Sequence, residues 1–328
     1  MEEKNLLTVK DLHTSFTTPE GIVRSVDGVS FNVKQGETLA IVGESGCGKT
    51  VTSLSIIGLL ADTATVSAEE LSFDGKDLLS MSKDERRKLR GSGIAMIFQE
   101  PMTSLNPVYK IEKQIGDVYR CHHPEMSKEE IYQRSVDMLK MVGVPSPEER
   151  LKVYPHQLSG GLRQRVMIAI ALAADASLVI ADEPTTALDV TIQAQILKLM
   201  RKLQEQHNMS IILITHDFGV VSKLAHRVAV MYAGKIVEEG SVQDIFREPL
   251  HPYTELLILS IPGIKVKRGG RLEAIQGAVP NPLKFPEGCR FHPRCPYATE
   301  RCMKEEPPEV VIGDRHVRCF LREGQNAE

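Results

Sequence analysis

The sequence predicts an α/β fold built on a P-loop, followed by a small cysteine-bearing extension. Three observations carry that reading. Short apolar runs recur at residues 39–42, 94–98, 178–181 and 211–214, each ending in polar or glycine-rich chain, as buried strands of an α/β sheet do. The first run leads through a glycine-rich loop into a stretch able to form a helix. After about residue 246 the texture changes, and Cys289, Cys295, Cys302 and Cys319 gather near the end, leaving only Cys47 and Cys121 elsewhere.

At 328 residues the chain has room for one large domain and a smaller one, and its 42% hydrophobic and 25% charged composition is that of an ordinary globular protein. A net charge of −3 supplies no basic footprint for nucleic acid. The opening "MEEKNLLTVKD" is acidic and lacks an apolar core, so no signal peptide is expected. The longest apolar candidate, "VMIAIALAADASLVIAD", is broken by Asp175, so no run of about 18 apolar residues would span a bilayer. These features predict a cytoplasmic chain. A reducing compartment favours a metal site or free thiols over a disulfide framework for the cysteine cluster.

The first strand opens "TLAIVGESGCGKT". Gly43, Glu44, Ser45, Gly46, Cys47, Gly48, Lys49 and Thr50 fit G-x-x-x-x-G-K-[ST] between a strand and a helix. The glycines let backbone amides converge on phosphate oxygens, and the helix dipole adds to their field. Lys49 is placed to reach the β- and γ-phosphates and Thr50 to ligate Mg²⁺. Cys47 sits at a variable position of the loop and reads as a small filler.

In "IAMIFQEP" the next strand ends in Gln99. From residue 101 to 155 the chain reads as helical. Ser127 and Glu130 form a capping-box pattern before an amphipathic run through Ile131, Met138, Leu139 and Val142, closed by the proline-rich "VPSPEE". Cys121, His122 and His123 in "YRCHHPE" read as a polar surface loop rather than a metal site. "LSGGLRQR" follows, where Ser159, Gly160 and Gly161 offer a hydroxyl and approachable amides at the start of an apolar helix. That is a second anion site without its own lysine, so two half-sites in one chain point to a nucleotide shared between two chains. "LVIADEPTTALD" ends a buried strand in Asp182, suited to Mg²⁺, and Glu183, suited to polarise an attacking water. Asp189 is placed to cap a helix with Ile192, Ile196, Leu199 and Leu203 at helical spacing. "IILITHD" is a further strand ending in His216, and residues 227–240 read as a hairpin turning at Ala233 and Gly234.

These motifs, in this order, resemble the nucleotide-binding subunit of an ATP-binding cassette (ABC) transporter over residues 7–246. The resemblance implies a RecA-like core with an antiparallel β subdomain and a helical subdomain at about 101–176, within a nucleotide-binding domain at 1–246. It implies that Glu183 is the hydrolytic base and that Gln99 contacts Mg²⁺ and senses the γ-phosphate. It implies that His216 orients the attacking water, that Asp189 communicates across a dimer, and that Ser159, Gly160 and Gly161 bind the γ-phosphate held by a partner's P-loop. Phe16 lies where the family places an aromatic ring against adenine. By the same resemblance the helical subdomain docks on membrane-spanning subunits, with "QEPMTSLNP" at the contact.

The segment at 247–328 resembles the C-terminal extension of dipeptide and oligopeptide importer ATPases, on the strength of "HPYT", "GAVPNP" and "GCRFHPRCP". Its first part reads as a short apolar helix and then loops with short strands. The four thiols are spaced C-x5-C-x6-C-x16-C, without the C-x2-4-C knuckle of most zinc sites. The wider spacing suits a [4Fe–4S] cluster, to which the resemblance also points, with zinc and free thiols as the alternatives. His292 is a substitute ligand for which four cysteines leave no need. A metal clip would suit a small tail that lacks a core of its own.

The resemblance as a whole implies an ATPase at the cytoplasmic face of the cell membrane. It implies a similar but different F-type ATPase as partner, two permease subunits, and an extracytoplasmic peptide-binding protein. A soluble ABC-type ATPase acting on nucleic acid or the ribosome is the reading from another class, disfavoured by a single cassette and the charge balance. Import of nickel complexes or glycosides stays open, and export is disfavoured because no membrane domain is fused.

Overall fold

A computed structural model of the chain describes residues 4–100, 104–186, 188–261 and 275–325. The middle of "QEPMTSLNP", at 101–103, and the first loops expected of the tail, at 262–274, lie outside the described residues.

The chain begins with β1 (Asn5–Thr18), β2 (Gly21–Lys34), β3 (Thr38–Val42), α1 (Lys49–Ile57), β4 (Ala64–Ser67), β5 (Glu70–Phe73) and β6 (Lys76–Asp77). It continues through α2 (Lys83–Ser92), β7 (Ile94–Ile97), α3 (Ile111–His122), α4 (Lys128–Met141), α5 (Pro147–Arg150), α6 (Gly160–Leu172), β8 (Leu178–Asp182), α7 (Val190–His207) and β9 (Ser210–Thr215). It closes with α8 (Phe218–Leu224), β10 (Arg227–Tyr232), β11 (Lys235–Ser241), α9 (Val242–Arg247), α10 (Pro252–Leu259), α11 (Glu300–Lys304), β12 (Glu309–Ile312) and β13 (Arg315–Arg318). Two compact units result: residues 1–80 with 213–328, and residues 81–212. Among the described residues no helix is long and apolar enough to cross a membrane.

In the first unit β1 and β2 form a long antiparallel hairpin, in a sheet ordered β2-β1-β5-β6 with β4 also paired to β1. The register shifts between Val9 and Leu12, where Asp11 takes a φ of 50°. That bulge changes which residues face the core, so Leu7 and Val9 are followed by Leu12 rather than by residue 11. The second sheet of this unit places β3 parallel to β10, and continues through β11 and β13 to β12. All five residues of β3 are buried. Between β10 and β11, Ala233 and Gly234 both have positive φ, 47° and 84°, as a two-residue hairpin turn of type I′ requires. The hairpin expected there is therefore present.

Residues beyond 246 share this unit's core. Phe291 is 1% exposed and packs at 5.1 Å from the Tyr232 ring and 5.3 Å from the Tyr253 ring, while β13 extends the sheet from β11. A tail lacking a core was the expectation behind a purely structural metal clip. The tail instead contributes an aromatic side chain to the cluster that includes Val42, Val230 and Tyr232.

In the second unit β7 runs parallel to β8, and every residue of both strands is buried; β9, also buried throughout, begins in this unit and ends in the other. The capping box at Ser127 and Glu130 is formed, and Ile131, Met138 and Leu139 of α4 are buried as their spacing predicts. One reading needs correction. Cys121 and His122 belong to the last turn of α3, not to a loop, and His123 is its C-cap. The helix buries Ile111, Ile115 and Tyr119 on one face. Arg120 and His122 suit its negative C-terminal end, and Pro124 bars its continuation.

Candidate functional site

In the first unit, strand β3 delivers the chain into the glycine loop and α1 receives it. Gly48 is the N-cap of α1 with a φ of 110°, and no side chain caps the helix. A Cβ at Gly48 would lie 2.4 Å from the Ser25 carbonyl oxygen, so only glycine lets the loop pass. An N-terminus without a capping side chain leaves its amide field for an anionic ligand. Ser45, Gly46 and Thr50 are exposed at the loop mouth. Lys49 is 6% exposed, and its Nζ donates to the carbonyl oxygens of Gly43 at 2.8 Å and Glu44 at 3.0 Å. The buried Cys47 thiol lies 3.7 Å from that ammonium, and burial raises its pKa, so it acts as packing rather than as a nucleophile.

A second layer holds this loop from outside. The Glu44 amide donates to the Tyr253 hydroxyl at 3.0 Å, and the Gly234 amide donates to the Cys47 carbonyl at 2.9 Å. The Glu44 carboxylate accepts two bonds from Arg294, at 2.7 and 3.0 Å. Sequence reasoning missed Arg294 and Tyr253. The "HPYT" and "HPRC" words mark their neighbourhoods, but nothing local ties either to the glycine loop. Phe16 is half-buried on β1, opposite Val23 and Ala64. His216 lies just past the end of β9 and is exposed, next to Asp217, which caps α8 through a 2.7 Å bond from the Gly219 amide.

The second unit brings Gln99, Asp182 and Glu183 together. Asp182 is the last residue of β8 and 3% exposed. Glu183 follows in left-handed backbone, φ 47°, a conformation costing a non-glycine residue about 1 kcal/mol. Gln99 Nε2 donates to Glu183 Oε2 at 3.1 Å, and the Thr186 hydroxyl donates to the same oxygen at 2.7 Å. The strand expected to carry Gln99 stops at Ile97, so Gln99 stands on exposed chain beyond it.

Ser159 caps α6, its hydroxyl accepting from the Leu162 amide at 3.4 Å. Gly160 has open space where a Cβ would be, while a Cβ at Gly161 would stand 3.0 Å from Ile192. Buried Gln164 of α6 donates to the Pro184 carbonyl, tying the helix to the loop after Glu183. Asp189 caps α7 through a 2.9 Å bond from the Ile192 amide, as its position predicts.

The four clustered thiols of the first unit converge. Cys289, Cys295, Cys302 and Cys319 all line one cavity of about 120 Å³, with His251 and His292 also at its wall. Gly288, at φ 66°, lets the chain run under the next turn. A Cβ there would meet the Cys302 carbonyl oxygen at 2.5 Å, and the Cys289 amide donates to that oxygen. Burial pushes the Cys289 thiol up to about 11, and Cys302 and Cys319 push it the same way. Burial also raises Cys295 and Cys319. His251 is fully buried, which lowers it to about 3, so the ring is neutral, and its Nδ1 accepts from the Tyr253 amide at 3.0 Å. His292, the substitute ligand, has its Nδ1 on the Cys289 carbonyl at 3.0 Å. Among the described residues, no group of three or more His, Cys, Asp and Glu is arranged to hold a metal ion, so the geometry lends the metal expected of these thiols no support beyond their shared cavity.

A larger cavity of about 290 Å³ in the first unit is lined by charges already in pairs, Arg227 with Glu239, and Glu309 with His316 and Arg318. None of the residues expected to bind nucleotide or metal lines it.

The ABC transporter family model matches residues 26–186, and the model for the oligopeptide/dipeptide transporter C-terminal region matches residues 237–302. The chain is 52% identical to the dipeptide transport ATP-binding protein DppD of Haemophilus influenzae, over 96% of this chain and 94% of that one. It is 52% identical to the oligopeptide transport ATP-binding protein AppD of Bacillus subtilis, over 98% of each. Among solved structures, a dimeric ATP-binding cassette in a post-hydrolysis state bound to ADP and Pi is similar with a TM-score of 0.65 at 29% identity. That match covers 72% of this chain and 98% of the other.

Proposed function

The chain belongs to the ABC transporter family, among the dipeptide and oligopeptide transport ATP-binding proteins, and from that premise we propose that it hydrolyses ATP to drive uptake of di- and oligopeptides through separate membrane subunits. The observation that carries the ATPase reading is the glycine loop, with the Lys49 ammonium poised over it and an uncapped helix behind it.

In this reading the triphosphate lies along residues 43–50, and Lys49 exchanges its two carbonyl partners for β- and γ-phosphate oxygens. Phe16 stacks on the adenine. Exposed Thr50 at the helix start, Gln99, and Asp182 at the strand end have the oxygen donors that suit Mg²⁺. Mg²⁺ held by these groups would neutralise charge on the phosphates. Glu183 takes the proton of the attacking water, and His216 orients that water. Ser159, Gly160 and Gly161 close on the γ-phosphate held by the partner chain, across an interface to which Asp189 contributes. The partner is a different ATPase of the same kind. The pair works on two permease subunits at the cytoplasmic face of the membrane, supplied by an extracytoplasmic peptide-binding protein. Vesicles holding the assembled transporter are expected to accumulate a labelled dipeptide only when MgATP is present on the ATPase side. Labelled glucoside or nickel chelate accumulating instead, with no peptide, would reassign the cargo.

The tail fits an iron–sulfur cluster. Four thiols around one cavity supply the all-thiolate donor set of a [4Fe–4S] centre, and a cationic core would relieve the mutual repulsion of their thiolates. Cys289, Cys295, Cys302 and Cys319 would hold it. Protein purified without oxygen is expected to contain about four irons and four acid-labile sulfides per chain, with broad absorption near ~400 nm. One zinc and no iron would make the site a zinc clip.

A further inference from the structure

We propose that Arg294 couples the four-thiol site to the nucleotide cradle, so that the state of the thiol site sets the affinity for ATP. The inference rests on residues 43–50 being that cradle.

Cys289 and Cys295 bracket one short stretch of chain, and both face the thiol cavity. The two arginines between them face the other way. Arg290 donates to the Ala233 carbonyl at 2.6 Å and pairs with Asp27. Arg294 is 4% exposed at its side chain and grips both oxygens of Glu44. It also reaches the Tyr232 hydroxyl at 3.3 Å and the Gln276 carbonyl at 2.9 Å. Glu44 is part of the glycine loop, and its own carbonyl accepts from Lys49. The stretch therefore touches the thiols on one side and the phosphate loop on the other.

The sign of the coupling follows from charge. Glu44 is an anion on the loop along which the polyphosphate is proposed to lie, and Arg294 neutralises it. Displacing the guanidinium leaves a carboxylate that repels the ligand and frees the loop from its outer support. Cys295 adjoins Arg294 in the chain, so a thiol site that loses its shape shifts the guanidinium. Arg294 is thus a positioning residue for the loop, not a catalytic one.

The test is the affinity of the full chain for MgATP, by calorimetric titration, with thermal unfolding run on each variant. Arg294→Ala is expected to weaken binding about tenfold, and Arg294→Lys by less. Adding Arg294→Ala to a Glu44→Gln protein is expected to leave affinity within about threefold of the Glu44→Gln protein itself, so that most of the tenfold loss is recovered. A residue that served only folding would lower the unfolding temperature and show no such recovery. Cys295→Ser is expected to weaken binding in the Glu44 protein and not in the Glu44→Gln protein. Arg294→Ala binding as wild type overturns the proposal. So does a Cys295→Ser effect equal in both backgrounds. Lys49→Ala separates the two readings: it must lose MgATP, and if it binds normally the cradle itself has been misplaced.

Discussion

Glu183→Gln is expected to lower ATP turnover by about a hundred- to ten-thousand-fold while MgATP binding stays within about threefold of wild type. The structure favours a clean result. The carboxylate oxygen that accepts from Gln99 and from Thr186 is replaced by an amide oxygen able to accept the same two bonds. Both side chains carry the same backbone demand at φ 47°, so the strained turn is not released. What is lost is the capacity to take a proton. Phosphate release under saturating MgATP, set beside a binding titration, checks the split. Turnover within about threefold of wild type would move the base elsewhere, with exposed His216 the next group to test.

Phe291→Ala is expected to cost the first unit about 3–5 kcal/mol, an effect as large in equilibrium terms as the catalytic one. The ring stands edge-on to Tyr232 and contacts Tyr253 and His251, so its loss would open a cavity among these rings. Tyr253 in turn supports the Glu44 amide. Urea unfolding of the full chain, followed by circular dichroism and by loss of nucleotide binding, should shift to lower denaturant in both signals. A loss below about 1 kcal/mol would mean that the tail folds on its own account and leaves the nucleotide loop untouched.

The glycine loop and its strand–helix setting were legible because phosphate chemistry restricts residue type at fixed short spacing. Gly48 must be glycine to clear Ser25, Lys49 must follow it, and Asp182 must end a buried strand. The convergence of four thiols was legible for the same reason, since cysteine has few other uses at that density. Other features were hidden for physical reasons. The β1–β2 hairpin conceals its alternation because the bulge at Asp11 shifts the period midway. The last turn of α3 looked like a loop because Cys121, His122 and His123 carry no apolar stripe, although the stripe upstream, through Ile115 and Tyr119, settles the helix. Arg294 was invisible as a partner of Glu44 because an ion pair between distant positions leaves no periodic trace. Phe291 looked like one aromatic in a proline-rich loop because its neighbours, Tyr232 and Tyr253, are brought to it only by the fold.

The first unit is discontinuous, and that affects how the protein is made. A ribosome that has released residues 1–212 has released the whole second unit but only the opening part of the first. At that moment β3 has no β10 to pair with, since Leu39 meets Arg227, and Glu44 waits for a guanidinium 250 positions downstream. The embedded unit is therefore free to fold while synthesis continues, whereas the glycine loop at 43–50 gains its outer support last, after the cysteine segment has emerged. Chains that stop before residue 227 leave β3, a buried apolar strand, without its β10 partner along one edge, the feature that invites chaperones or aggregation. The segment furthest from the P-loop in sequence thus serves as a completion signal, and only a fully synthesised chain assembles the outer support of its phosphate loop.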